Sequence, residues 1–421
     1  MHGESAAASP APRSDRGELA WYLTGLGGWF LSYGLLIILF PWLVTVVLNE
    51  PPKRIGLAQM VLLAPSTLFL LLAGASADRS DGRALLLRYH LLALVPPAGL
   101  ALAIATGRGS YPVVLAYGAA MGTLSAFMTP ARDALLSRVA GPGIARSIAL
   151  AAAAQYLFQL AGIAVAGLAG RTGPVTLLAV QLAVLAVAAA ATWRLTPAAP
   201  PRSAAAQGRL AAIGDGLRIA AASDRIAPVM IIMAATGVLY VGSFFVVLPL
   251  AVRDVYGGGS GQLAVLSTAF WSGTIVATLT QVRIGLLRRP GRAFVSAGVV
   301  GGLALIGMSR PAPFAAFAVL CFAWGLGAGV VMTQGRTIVQ LAAPPSHRAR
   351  VLALFQLGVL GGAPLGALAV GYLAGLVGPR RVTLFPAIAM WLVLAIVASR
   401  SRLWNQAALA EVPDSIDAER K

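Results

Sequence analysis

The groups in this chain able to take a proton, hold a metal or attack a carbon are few: fourteen carboxylates, three histidines and one cysteine. Glu4, Asp15 and Glu18 precede the first long apolar run, and Glu411, Asp414, Asp417 and Glu419 follow the last. Glu50, Asp78, Asp81, Asp133, Asp215, Asp224 and Asp254 fall in polar segments or at run ends, so no carboxylate sits in the middle of an apolar run. Cys321 does, alone, which excludes an intramolecular disulfide and a Cys-based metal site and reads as a small core residue. His90, one turn inside the third run, is able to titrate but reads as a ring snorkelling to the edge of that run. There is no metal-ligand spacing, no glycine loop followed by Lys and no convergent Ser/His/Asp set, so neither an enzyme nor a cofactor or metal is expected.

Two other patterns carry possible chemistry. One is Gly74-Ala-Ser-Ala-Asp78-Arg79-Ser-Asp81-Gly82-Arg83, a sharp turn that sets a carboxylate and guanidinium groups at a helix end. The other is a scatter of polar and aromatic residues deep in the apolar runs. Tyr33, Gln155, Gln159, Tyr240, Trp271 and Gln356 are the best candidates among them for lining a cavity, although each also reads as glue between helices. With no buried carboxylate to meet a cation, such a cavity suits a neutral, amphipathic or anionic small molecule.

The elements that must hold these residues follow from composition. Of 421 residues, 58% are hydrophobic and 11% charged, with a mean hydropathy of +0.81, too little polar surface to coat a soluble globule. Apolar runs long enough to cross a bilayer recur at 21–48, 55–77, 84–106, 111–131, 147–170, 174–193, 226–252, 262–282, 293–309, 312–335, 351–377 and 382–399. Backbone groups in hydrocarbon must bond within the chain, so these are twelve helices and the fold class is an all-α membrane protein. The net charge of +18 would suggest nucleic acid in a soluble protein, but 24 of the 32 Lys and Arg fall in alternate loops and the two tails. That split predicts both termini, and the segment 196–225, on the cytoplasmic side, and it removes the need for nucleic acid.

A shift of 204 residues superposes the halves without a gap. Met128, Thr129 and Arg132 fall on Met332, Thr333 and Arg336; Arg146 falls on Arg350; Gly162 and Gly167 fall on Gly366 and Gly371; Arg79 and Arg88 fall on Arg283 and Arg292. Two parallel six-helix repeats, 21–195 and 226–400, are the pattern of a transporter with its binding site between the halves. Polar tails are expected at 1–20 and 401–421. Between the halves, 196–225 contains an amphipathic stretch, 207–222, with Leu210, Ile213, Leu217 and Ala221 on one face, expected to lie on the membrane surface as a tether.

The Gly74–Arg83 loop, set in this duplicated twelve-helix layout, resembles the loop between helices two and three of the major facilitator superfamily. Phe127-Met-Thr-Pro130-Ala131-Arg132-Asp133, with Gln340, Pro345 and Arg348-Ala-Arg350-Val351, is similar to the branch containing enterobactin and macrolide exporters. The resemblance implies a secondary transporter in a cell membrane that works by alternating access, without a metal, most simply as a monomer among lipids, with a proton or ion as a candidate coupling partner. It implies a gate of Gly74, Asp78, Arg79, Gly82, Arg83, Arg132, Arg336 and Arg350, in which Asp78 latches the Arg132 end of helix four to the start of helix eleven. Arg79 and Arg83 would steady the loop against lipid phosphates, and Arg336 would bond helix-end carbonyls or phosphate. Two features depart from the exporters: the fifth helix lacks their Gly-Pro and paired glycines, and the second-half loop at Arg283–Arg292 has lost its acidic residue. An importer or a lysolipid flippase of the same fold is therefore the alternative, with a receptor or scaffold well behind.

Overall fold

The computed structural model describes residues 16–69, 73, 81–140, 144–197, 209–285, 287–345 and 347–405, and among them every regular element is helical. Eleven helices are long and apolar enough to cross a bilayer. They are the first span, Gly17–Val47; the third, Gly82–Ala105; the fourth, Tyr111–Val139; the fifth, Arg146–Ala166; the sixth, Pro174–Trp193; the seventh, Ile226–Val255; the eighth, Ser260–Ile284; the ninth, Pro290–Met308; the tenth, Phe314–Ala342; the eleventh, Arg350–Val377; and the twelfth, Arg381–Arg400. The second span, Pro52–Leu68, completes the twelve. With an even number of spans, the start of the first and the end of the twelfth lie at one end of the bundle, called here the terminal end, opposite the far end.

The helix of the first span starts at Arg16, five residues before the expected boundary. The reason is Glu18: it sits in the helix's positive first turn, where its carboxylate accepts from the backbone N–H of Thr196 at 3.0 Å and from the Thr196 hydroxyl. The third span breaks at Ala93–Leu94 because Pro96 and Pro97 remove two helical donors just beyond. The first and seventh spans both end in a π-helical turn, Leu43–Val47 and Ala251–Val255.

Packing repeats across the halves. In the first half, the first span packs on the fifth and sixth, the second on the fourth, and the third on the fourth and sixth; in the second half the seventh packs on the eleventh and twelfth, the eighth on the tenth, and the ninth on the tenth and twelfth. Two seams join the halves, second on eleventh and fifth on eighth.

Glycine permits the crossings. A methyl on Gly162 would fall 2.2 Å from the Leu31 carbonyl oxygen and 3.0 Å from Gly34, and one on Gly366 would fall within 2 Å of the Val238 carbonyl oxygen. These are equivalent crossings of the first span by the fifth and the seventh by the eleventh. They also correct the gapless register. Gly34 matches Gly242, which lies against Gly366, an offset of 208 rather than 204. The π-turns match at the same offset, Leu43 with Ala251. The offset returns to 204 at the seams, where Gly56 against Gly371 corresponds to Ser260 against Gly167. The second span thus carries one extra turn, Pro52–Ile55, with no counterpart at the start of the eighth.

The segment between the halves contains a helix, Arg209–Ala222. Its small residues dock it: Gly216 lies against Leu354 and the Arg350 stem, and Ala220 is buried, while Leu217 is exposed.

Candidate functional site

The two seams close the far end. On one, Gly56 and Gly371 are in backbone contact, with a Cβ on Gly56 falling 2.8 Å from the Gly371 Cα. On the other, Ser260 Oγ donates to the Gly167 carbonyl at 3.0 Å and accepts from the Gly170 N–H at 2.9 Å. Arg253 adds a tie from the seventh span, donating to the carbonyls of Thr45 at 3.0 Å and Glu50 at 2.7 Å while pairing with Asp254 at 2.6 Å.

The second–eleventh seam runs from Gly56 and Gly371 to Thr67, whose hydroxyl donates to the Leu360 carbonyl at 3.2 Å, and Gln356, one turn nearer the terminal end, is exposed. The contacts described between the halves therefore lie from the far end to about this level.

The expected cavity residues divide into three groups. Tyr33, Gln155 and Gln159 gather at the crossing of the first and fifth spans, where the Gln159 carbonyl lies against Gly34; Gln159 is buried, and Tyr33 stands edge-on to Phe30. Gln356 is exposed on the eleventh span, one turn from Leu360. Trp271, on the eighth, lies edge-on to Phe270, and its indole N–H is buried without a partner among the described residues. Tyr240 is corrected: its hydroxyl donates to the Gly298 carbonyl at 2.8 Å and its ring lies edge-on to Trp324, so it ties the seventh span to the ninth inside the bundle. A buried tyrosine takes whatever acceptor is near, and a ninth-span carbonyl supplied it.

Sequence reasoning missed Gln59. This second-span side chain is fully buried, and among the described residues neither its amide nitrogen nor its amide oxygen has a hydrogen-bond partner, an arrangement that costs about 1–3 kcal/mol for each unpaired group. The available signal was a lone Gln in an apolar run, a residue type that reads as well as glue between helices.

Of the expected gate, Gly74, Asp78 and Arg79 lie outside the described residues. Asp81 caps the third span, accepting from the N–H groups of Arg83 at 3.2 Å and Ala84 at 3.3 Å, and it faces Arg138 Nη1 at 3.5 Å. Gly82 packs against Ala131 and Leu135 of the fourth span. Arg83 is corrected: it donates to the Trp193 carbonyl at 2.6 Å, completing the C-terminus of the sixth span, instead of reaching for lipid phosphate. Arg138 is the surprise, because its side chain is largely buried and Asp81 is its only charged partner among the described residues.

Arg132 lies 4.9 Å above the Phe30 ring, its carbonyl accepts from the Tyr22 hydroxyl at 3.4 Å, and its Nη2 is 3.5 Å from Asp133. Arg336 is exposed and bonds no helix-end carbonyl among the described residues. Arg350 runs under the Gly216 turn of the connecting helix. His90 is corrected from a snorkelling ring to a buried one, 1% exposed, bonded to Thr192 through Nδ1 at 3.1 Å. No cluster of His, Cys, Asp or Glu among the described residues is arranged to hold a metal ion.

Comparison with known proteins adds the following. The family described as transmembrane secretion effector matches residues 23–418. Among solved structures, the nucleoside transporter NupG superposes with a TM-score of 0.72 at 15% identity, covering 91% of this chain and 99% of that one. A bacterial homolog of the human lysosomal transporter Spinster, inward-facing and unoccupied, superposes at 0.73 and 13%, covering 94% and 98%. An auto-inhibited peptide transporter of the POT family superposes at 0.69 and 14%, covering 91% and 97%. No curated protein matches the sequence.

Proposed function

The chain belongs to the transmembrane secretion effector family, within the major facilitator superfamily, and from that premise we propose that it exports a neutral or anionic amphipathic small molecule, of siderophore or macrolide type, out of the cell. The membrane is the cell membrane, with the terminal end in the cytoplasm, as the distribution of basic residues favours. One observation carries this reading: the polar side chains deep in the spans, Tyr33, Gln155, Gln159, Trp271 and Gln356, are uncharged, and the described residues put no carboxylate beside them. Uncharged donors and acceptors on an apolar wall suit a ligand that is itself uncharged or negative at its polar end.

The far-end closure describes a carrier poised to load from the cytoplasm. Release then needs the seams at Gly56–Gly371 and Ser260–Gly167 to part and the terminal end to close, with the loop that contains Asp78 latching it. The protein acts as a monomer surrounded by lipid.

The test is uptake of siderophores, macrolides and lysolipids into inside-out vesicles, set beside uptake into right-side-out cells. Accumulation of a siderophore or macrolide in inside-out vesicles is the expected result. Accumulation only in the right-side-out preparation would make the protein an importer, and movement of lysolipid alone would make it a flippase. Reporter fusions after Arg402 that report from outside would overturn the orientation.

A further inference from the structure

The third span packs chiefly on the fourth and sixth, which leaves its outer side to the lipid. Arg88, Leu91 and Leu92 fall within about 100° of one another on the helix, and all three are exposed. Beyond the break at Ala93–Leu94 the apolar surface continues with Val95 and Leu102, 65% and 66% exposed. Arg88 is the charged group in this stripe, and it makes no hydrogen bond, ion pair or ring contact among the described residues. Arg83, five residues nearer the start of the span, already bonds the Trp193 carbonyl at the end of the sixth. Arg88 therefore stands about 7.5 Å further in, at 1.5 Å per residue. A guanidinium at that depth on a lipid-facing side is costly unless it finds a partner. Helical side chains tilt toward the helix N-terminus, here the terminal end, so Arg88 leads back toward the headgroup layer.

The charge of the partner follows from what the protein withholds. The span contains no carboxylate from Gly82 to Ala105. Asp81, which caps it, is engaged by the N–H groups of Arg83 and Ala84 and by Arg138. A zwitterionic headgroup would bring an ammonium group with no free carboxylate of this span to meet it, whereas a headgroup of net negative charge needs only the guanidinium, which holds phosphate through two N–H groups. The ninth span, the outer helix of the second half, shows the contrasting solution. Its arginine near the same end, Arg292, donates from Nε to the Trp404 carbonyl at 3.1 Å and lies 5.5 Å over the Trp404 ring. The turn Leu403–Asn405 thus supplies from within the chain what Arg88 lacks.

We propose that the outer face of the third span is a binding site for one anionic phospholipid, its phosphate on Arg88 and an acyl chain along Leu92, Val95 and Leu102. The guanidinium selects the headgroup by charge, and the leucines and valine hold the chain by apolar contact. The ninth span has no equivalent site because Trp404 already occupies its arginine. The inference needs only the membrane-spanning fold, so cargo and direction of transport do not enter it.

The experiment titrates the full chain in detergent with phosphatidylglycerol and phosphatidylcholine in competition and counts bound lipids by native mass spectrometry. Wild type should prefer phosphatidylglycerol for the first lipid bound by about fivefold, the worth of one arginine near a headgroup layer. Arg88→Gln should lose that preference, and Arg292→Gln should keep it. A phosphatidylglycerol with a photoreactive acyl chain, bound to the wild type, should mark the third span at Leu92, Val95 or Leu102, and this measurement decides the matter if Arg88→Gln does not fold. Equal binding of the two lipids by wild type, an undiminished preference in Arg88→Gln, or an equal loss in Arg292→Gln would overturn the proposal. So would marks confined to other spans, or displacement of the first lipid by inorganic phosphate, which would make Arg88 a site for a free anion.

Discussion

At its terminal end the first half carries Asp81, Arg83, Arg132, Asp133 and Arg138, joined by a helix cap, two ion pairs and a bond to the sixth span. The second half carries Gly285, Leu287, Arg336, Thr337 and Ala342 at the related positions, an arginine and no carboxylate. Where the first half has Asp81 opening a helix, the second has Gly285, at φ +76, closing one. The interiors differ in the same sense. Tyr117, Gln181 and Ser32 link three spans of the first half through side-chain hydrogen bonds, whereas an aromatic cluster of Tyr240, Phe244, Phe270 and Trp324 fills the second, with one polar pair, Gln281 and Gln334. A duplicated frame therefore does not need duplicated polar contacts: one half can hold the charges and the other can present helix ends to them.

The comparison breaks first at Asp78. If the acidic loop of the first half is the working latch, Asp78→Asn lowers transport in proteoliposomes about tenfold or more, the scale of one lost charge-assisted bond, with membrane insertion unchanged. A wild-type rate would reduce the loop to a topology signal. Next come the paired arginines. Arg132→Ala should shift the balance of open and closed populations, read from distances between labels at the terminal ends of the fourth and tenth spans, by about tenfold toward the open terminal end, and Arg336→Ala by less than about twofold, because among the described residues Arg132 has partners to lose and Arg336 has none. Equal shifts would erase the asymmetry.

Smaller effects sharpen it. Asp81→Ala removes a helix cap and the carboxylate beside Arg138 and should lower stability by about 1–2 kcal/mol in thermal unfolding. Tyr117→Phe strands the Gln181 oxygen and should cost about 1 kcal/mol. Tyr240→Phe leaves only a helical carbonyl with its second lone pair free and should cost a few tenths, so the difference between the two is the measurement that counts.

Much of the fold was legible because hydrocarbon leaves few options: twelve apolar runs could only be helices, and the paired glycines announced where helices cross. The break at Ala93 was present in Pro96 and Pro97 but was masked by the length of the run. The register change to 208 was not legible, since the first and seventh spans share almost no distinctive residues and Ala and Leu match anything. At the site, polar residue types pointed to candidates without saying which way each faces; that depends on helix rotation, and it separated Tyr240 from Gln356. His90 was misread because its partner, Thr192, lies 102 residues away.

The extra turn Pro52–Ile55 has a mechanical meaning. It prolongs one seam by about 6 Å over the eleventh span, at 1.5 Å per residue. Lys53 rests there, 4.4 Å over the Tyr372 ring, and Arg54 is pinned to Glu50 at 3.0 Å. The opposite seam is held by the Ser260 bonds and by Ala264 packed on Gly167. Two panels joined by a long edge and a short one do not separate evenly; they swing. Were the halves to separate at the far end, the longer second–eleventh edge would act as the hinge and the fifth–eighth edge would yield first.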